Sequence, residues 1–300
     1  MDFNSVIEEE NKIIIKNVKN FELNHIFDCG QCFRWIKNTD NSFTGVAYGK
    51  VIEISKKDND VIIENTNSVD FQKIWGDYFD LYRDYDVIKE ILDKDKALQK
   101  AIIFGNGIRI LNQEPFETLI SFIISSNNMI PRIKGSIMKI SEKWGKEIVY
   151  KGNRFYTFPK PLDLKDATIE DFKQCGTGFR AKYLYNTIQE IIRCSDSIDD
   201  LENIKASKED DCYKSLQNYM GIGPKVADCI MLFSMGKSSS FPVDVWVKRA
   251  MSYFYDVPGG DSLKQVRSFA QQRFGELAGF AQQYLFYYVR ENKINIVKDE

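Results

Sequence analysis

Histidine is almost missing from this chain: His25 is the single copy in 300 residues. A zinc centre normally takes four protein ligands, or three and a water. Cys29 and Cys32 form a C-x-x-C just beyond His25, but no second C-x-x-C completes a ligand set. They are therefore read as buried thiols. Cys175, Cys194, Cys212 and Cys229 are scattered, and the start Met1-Asp2-Phe3-Asn4 lacks the basic flank and apolar stretch of an export signal. Reduced thiols and a cytoplasmic address, nucleoid-associated in a bacterium, are expected. Long apolar runs are missing too. None approaches the ~20 residues of a membrane span, so no membrane partner is expected. Repeats and low-complexity tracts are absent.

What remains is an ordinary globular composition, 43% hydrophobic and 28% charged, rich in Phe (21) and Tyr (15). That is enough for a core, with flat side chains to spare for stacking on bases. The net charge of −2 argues weakly against nucleic acid, but residues 132–182 hold twelve Lys or Arg against six Asp or Glu. Either a cationic face on an acidic body or a solvated mixed surface fits that asymmetry.

β-Branched and aromatic runs at Lys12–Ile15, Phe33–Ile36, Phe43–Tyr48, Val51–Ile54 and Val61–Ile63 predict strands in an antiparallel meander. From residue 68 the pattern is helical. Leu111–Gln113 reads as a connector, and Glu114-Pro115 opens a helix whose apolar stripe is Phe116, Leu119, Ile120, Ile123 and Ile124. Gly152, Pro159 and Pro161 break the helices at 150–162. The expected division is 1–114, with an antiparallel sheet, and 115–300, helical.

Chemistry concentrates at 207–249. Ser207-Lys208-Glu209-Asp210 resembles a capping box and predicts a helix start, with Cys212, Leu216 and Tyr219 on its buried face. Met220-Gly221-Ile222-Gly223-Pro224-Lys225-Val226-Ala227 follows. Two glycines permit a tight turn with positive φ, Pro224 suits the first turn of the next helix, and Ile222 can plug the angle. This is a helix-hairpin-helix pattern, whose free N–H groups can hold a DNA phosphate; a helix pair that merely needs Gly to turn is the alternative. Lys225 is either a solvated lysine or an amine pushed toward neutrality by the helix dipole, as a nucleophile requires. Asp244, in Phe241-Pro242-Val243-Asp244-Val245-Trp246, is a helix N-cap, and an ionised carboxylate there could also stabilise an oxocarbenium.

These strings resemble the 8-oxoguanine DNA glycosylase branch of the helix-hairpin-helix glycosylases. Gly30-Gln31-Cys32-Phe33-Arg34-Trp35, Ser125-Ser126-Asn127-Asn128 and Gly279-Phe280-Ala281-Gln282-Gln283-Tyr284-Leu285-Phe286 are similar to further family motifs, in family order. The resemblance implies an α+β protein: an N-terminal antiparallel β-sheet domain with helices (TBP-like), then an all-α helix-hairpin-helix glycosylase domain. It implies excision of 8-oxoguanine flipped out of double-stranded DNA, Lys225 attacking C1′ to give a Schiff base, β-elimination, and Asp244 stabilising charge. The implied base pocket is Gly30, Gln282, Phe286, Cys229 and Phe233, with Cys229 a thiolate paired to the Lys225 ammonium. Asn127, Arg132 and Arg180 would read the orphaned cytosine, with Phe179 as wedge; Gly221, Gly223 and Val226 would hold phosphate. Trp246 stands where the family usually has His, and Met129 where it has a third Asn. No cofactor is required, a structural monovalent or calcium ion could sit at the carbonyls of Gln217, Tyr219 and Ile222, and the protein is expected to be a monomer. No C-x6-C-x2-C-x5-C cluster closes the chain, which disfavours the iron–sulfur branch. An alkylated-base glycosylase and a non-catalytic damaged-DNA binder are the competitors; Lys225 followed nineteen residues later by Asp244 argues against both.

Overall fold

The computed structural model describes residues 1–194, 198–255, 257 and 262–293, with backbone alone for 198–200. Six strands, β1 (Ser5–Glu9), β2 (Lys12–Lys16), β3 (Trp35–Lys37), β4 (Phe43–Ala47), β5 (Lys50–Lys57) and β6 (Asp60–Glu64), form one antiparallel sheet. Its order is β1-β2-β6-β5-β4-β3. The expected meander holds only for β3 to β6. Strand β2 pairs with β6, Ile13 opposite Ile63, so β2 and β3 lie far apart in the sheet. The segment 17–34 spans that gap and carries Gly30 out of the sheet.

Alternation explains which face is buried. Ile13, Ile15, Ile52, Ile54, Val61 and Ile63 point into one core with Phe27, Trp35, Trp75, Tyr78 and Phe79. The ring of Phe27 stacks on Trp35 at 4.2 Å, and the Trp35 indole N–H donates to the Tyr78 hydroxyl at 2.9 Å. Strand β1 had no such signal because its side chains are mostly exposed; it is held by backbone pairing with β2.

The helices build a second core. Among them are α1 (Tyr85–Leu92), α2 (Lys96–Phe104), α3 (Pro115–Ser125), α4 (Ile130–Trp144), α5 (Ala181–Arg193), α6 (Glu209–Leu216), α7 (Pro224–Ser234), α8 (Val245–Phe254), α9 (Leu263–Phe274) and α10 (Ala278–Glu291). Packing does not follow chain order. Residues of α1 and α2, with Cys29 and Phe33, are buried in this second core, and α2 packs on the C-terminal α10. The C-terminal helix is thereby joined to a helix that precedes the linker region.

The break expected at 150–162 contains a further hairpin, β7 (Glu147–Tyr150) and β8 (Asn153–Tyr156). Lys151 and Gly152 turn it with positive φ, the two-residue geometry that matches strand twist. Lys151 also pairs with Glu53 and Glu64 of the sheet at 3.0 and 2.8 Å. Lys143, Arg154 and Lys173 are paired with carboxylates as well. Four of the twelve basic residues of 132–182 are therefore paired with carboxylates at the surface.

An extended linker, 108–114, runs between the two cores, with Ile110 in the helical one and Leu111 in the sheet one. Within it Arg109 is fully buried and 2.8 Å from Asp2, itself 1% exposed. The same guanidinium donates to the carbonyls of Phe79, Lys19, Asn20, Asp80 and Arg83 and lies 4.1 Å over the Tyr85 ring. A buried charge with that many acceptors is well compensated; one left without its partner is not. Arg109→Leu is expected to lower stability by about 3–5 kcal/mol in urea unfolding. Arg109→Leu combined with Asp2→Ala should cost clearly less than the two single changes summed, since each single change strands the other charge.

Candidate active site

Helices α6 and α7 meet at the turn 217–223. Cys212, Leu216, Tyr219 and Ile222 are buried beneath it, and Thr187 of α5 donates to the Met220 carbonyl at 2.8 Å. The expected capping box at Ser207 is not formed. Helix α6 begins at Glu209 after Lys208, without a side-chain cap, and the Ser207 hydroxyl instead donates back to Ile204 at 2.7 Å. The preceding helix competes for that hydroxyl and wins.

The two hairpin glycines do different work, contrary to the expectation that both supply positive φ. Gly221 has φ +89, and a Cβ there would lie 2.8 Å from Cβ of Tyr183. Gly223 has φ −90 and is the N-cap of α7, with open space where a Cβ would go. The Ala227 N–H reaches the Gly223 carbonyl at 2.9 Å, so the N–H groups of Lys225 and Val226 are left at the helix mouth. The Val226 side chain is buried; only its backbone is available to a phosphate.

Lys225 faces inward from that first turn. Its Nζ lies 5.2 Å over the Phe122 ring and is hydrogen-bonded to Cys229, one turn on, with Asp244 close by. Burial pulls the amine down, but the Cys229 sulfur and Asp244 carboxylate pull it up, and the balance lies above the ordinary lysine value. The dipole-driven depression expected for this lysine is thus outweighed. Burial pushes the Cys229 thiol up to about 11. The two groups form a hydrogen-bonded, mutually coupled pair, with the amine held as the ammonium. Asp244 caps α8, accepting the Val247 N–H at 2.8 Å.

Lys225 and Asp244 stand at the junction of two concavities. One is a cavity of about 40 Å³ lined by Gly30, Phe122, Cys229, Phe233, Gln282 and Phe286, among others. The other is an open groove of about 910 Å³ that runs over Ser125–Asn128 and Trp246. All five expected base-pocket residues meet in the first. Gly30 has φ +79, and a Cβ there would be 3.2 Å from the Phe286 ring, so the aromatic ring lies directly on the glycine. Phe122, stacked at 5.5 Å on Phe233, Cys29, Pro242 and Gln283 also line the cavity and were not singled out. Phe122 stands outside the apolar stripe read for its helix, and Gln283 is next to a glutamine already assigned.

The opposite-strand residues divide. Asn127, with φ +50, and Arg132 are exposed. Phe179 is 59% exposed beside the groove loop, with the Arg180 guanidinium 4.4 Å from its ring. Arg180 itself is buried. It donates to the carbonyls of Ser126 (2.8 and 2.5 Å), Asn127 (2.7 Å) and Thr177 (3.3 Å). In the free protein it shapes the loop rather than facing a base. Remaining motif residues are structural: Arg34 pairs with Glu117 at 3.1 Å, and Asp228 takes a bidentate bond from Arg267. His25 Nδ1 accepts the Gly107 N–H at 3.2 Å and Cys29 donates to the Ile26 carbonyl, as ordinary buried groups do.

A hairpin presenting N–H groups, a lysine at its mouth and an Asp-capped helix beside it define a helix-hairpin-helix protein of base excision repair. Residues 120–276 match the family described as "HhH-GPD superfamily base excision DNA repair protein". Residues 13–119 match "8-oxoguanine DNA glycosylase, N-terminal domain", and the chain belongs to the 8-oxoguanine DNA glycosylase family. A Clostridium acetobutylicum 8-oxoguanine glycosylase/lyase, solved with DNA containing cytosine opposite 8-oxoguanine, is 52% identical; the match covers 98% of this chain and 100% of that one, TM-score 0.95. A probable N-glycosylase/DNA lyase of Methanothermobacter thermautotrophicus is 34% identical over 71% of this chain and 73% of its own length. The N-glycosylase/DNA lyase of Saccharomyces cerevisiae is 31% identical over 82% and 72%.

The two glycines should separate experimentally. Gly221→Ala places a Cβ against Tyr183 in a left-handed conformation and should cost about 1–3 kcal/mol in thermal or urea unfolding. Gly223→Ala should leave unfolding almost unchanged. A matching loss in both variants would contradict this assignment.

Proposed function

We propose that this protein is a bifunctional glycosylase and lyase that excises 8-oxoguanine from double-stranded DNA, with Lys225 as nucleophile. The observation that carries the reading is the placement of Lys225 and Asp244 where a small pocket lined by Gly30, Gln282 and Phe286 opens onto a wide groove. The hairpin N–H groups hold a phosphate, Phe179 fills the gap left by the flipped nucleotide, and Asn127 and Arg132 face the orphaned cytosine. Arg180 supports Asn127 from behind and reaches the cytosine only by releasing loop carbonyls.

The chemistry follows from the amine. Lys225 loses its proton and attacks C1′; the C1′–N9 bond breaks and the base departs with the bonding pair. Asp244 stabilises positive charge as it develops on the sugar. Opening of the ring oxygen leaves an imine between Nζ and C1′. Loss of a C2′ proton then expels the 3′ phosphate and nicks the strand. Each of these steps is acid–base or nucleophilic chemistry, so no cofactor is needed. An ion at the carbonyls of Gln217, Tyr219 and Ile222 would be structural; the Ile222 N–H already closes that turn on Tyr219 at 3.2 Å. We assign a monomer acting in the cytoplasm, on the nucleoid in a bacterial cell; no described helix is long and apolar enough to cross a membrane.

Borohydride should trap a covalent adduct on an 8-oxoguanine:cytosine duplex, and Lys225→Gln should still bind that duplex without ever trapping. An adduct persisting in Lys225→Gln would remove this lysine from the mechanism. Because the amine titrates above the ordinary lysine value, its neutral fraction is small at pH 7 and grows about tenfold per pH unit. Single-turnover imine formation should accordingly rise from pH 7 to 9 without a plateau. Cys229→Ala removes the first of the groups that raise the amine, and should shift that profile toward lower pH.

A further inference from the structure

We propose that Gln283, beside Gln282, is a base-reading residue that recognises the exocyclic amine of the excised purine; this rests on the glycosylase reading above. Gln283 is 3% exposed and Gln282 4% exposed, and both line the cavity next to Lys225. The Gln283 amide donates to Gln282 Oε1 at 3.0 Å. Gln283 Oε1, by contrast, is buried with no hydrogen-bond partner among the described residues. A buried acceptor without a donor is unfavourable unless something else supplies the donor.

Counting groups identifies what supplies it. The edge of a guanine-type base offers one acceptor, O6, and two donors, the N1–H and the exocyclic N2 amine. One glutamine amide has one donor group and one acceptor oxygen. Gln282 alone can serve O6 and N1–H, and the amine is left over. Gln283 Oε1 is the acceptor available for it in the same cavity. The bond from Gln283 also fixes which way Gln282 points: its oxygen is held toward Gln283 and its NH2 is released toward O6. The adjacent amides then match a three-point edge that a base lacking the 2-amino group cannot complete.

Single-turnover excision opposite cytosine tests this, comparing 8-oxoguanine with 8-oxohypoxanthine, which differs only in lacking the exocyclic amine. The unaltered protein should favour 8-oxoguanine by about tenfold or more, as sites that hydrogen-bond a substrate group do. Gln283→Met keeps the volume and deletes the acceptor; it should bring the ratio to within about threefold of one, falling mainly through 8-oxoguanine. A wild-type ratio retained in Gln283→Met overturns the proposal. If Gln283→Met loses both substrates, Gln283→Glu decides. Its buried carboxylic acid keeps a carbonyl acceptor and an O–H donor toward Gln282, so the preference must survive in it; failure to do so makes Gln283 purely structural. Failure of the unaltered protein to excise 8-oxoguanine would instead sink the glycosylase reading, whereas equal excision of both bases sinks only the role of Gln283.

Discussion

One side-chain amide holds the two halves of the base pocket in register. Gln31 is fully buried; its NH2 donates to the carbonyls of Ile26 and Arg109, at 2.9 and 2.8 Å, and its oxygen accepts the Leu111 N–H at 2.9 Å. Its own carbonyl takes a bond from Gln113. The loop bearing Gly30 is thus tied to the linker, and the linker is tied by Arg109 to the first residues of the chain. Without those ties Gly30 would be a mobile loop glycine, and the pocket would have only its C-terminal wall. The same stretch splits its side chains between both cores, Phe33 to the helices and Trp35 to the sheet, so the loop is anchored from either side.

Buried charge is handled in three ways across the molecule. Arg109 is surrounded by carbonyls and one carboxylate. Asp228 has a bidentate arginine, and burial still raises it to about 6. Lys225 has softer company, a hydrogen-bonded cysteine and a carboxylate already engaged as a helix cap. The first two are saturated and rigid. The third retains capacity to exchange its proton, which is what separates a reactive amine from a structural ion pair.

Much of this was legible in the chain itself, unevenly. The hairpin, the Pro-led helix at 115 and the Asp244 cap were readable because each rests on local backbone rules. All five base-pocket residues named from the resemblance do converge. Strand β1 escaped because it lacks alternation, and the β7–β8 hairpin because Gly152 signals a break and a turn equally well. Sheet order escaped because pairing of β2 with β6 is a long-range fact. The dipole argument alone misjudged Lys225, because it leaves out Cys229 one turn on, which only the resemblance supplied, and Asp244, which acts through space. Arg180 likewise shows its employment only once Ser126 and Asn127 lie beside it.

The contact between Phe286 and Gly30 carries a last consequence. A cavity of about 40 Å³ accommodates about three water molecules, far short of a bicyclic base. A base can seat fully there only in the fraction of molecules whose Phe286 ring gives way from Gly30. Apparent affinity is the intrinsic affinity scaled by that fraction, and the toll is levied equally on damaged and undamaged bases. The cost of entry is thus set by how tightly an aromatic ring rests on a residue with no side chain, and discrimination falls to the groups that line the seat.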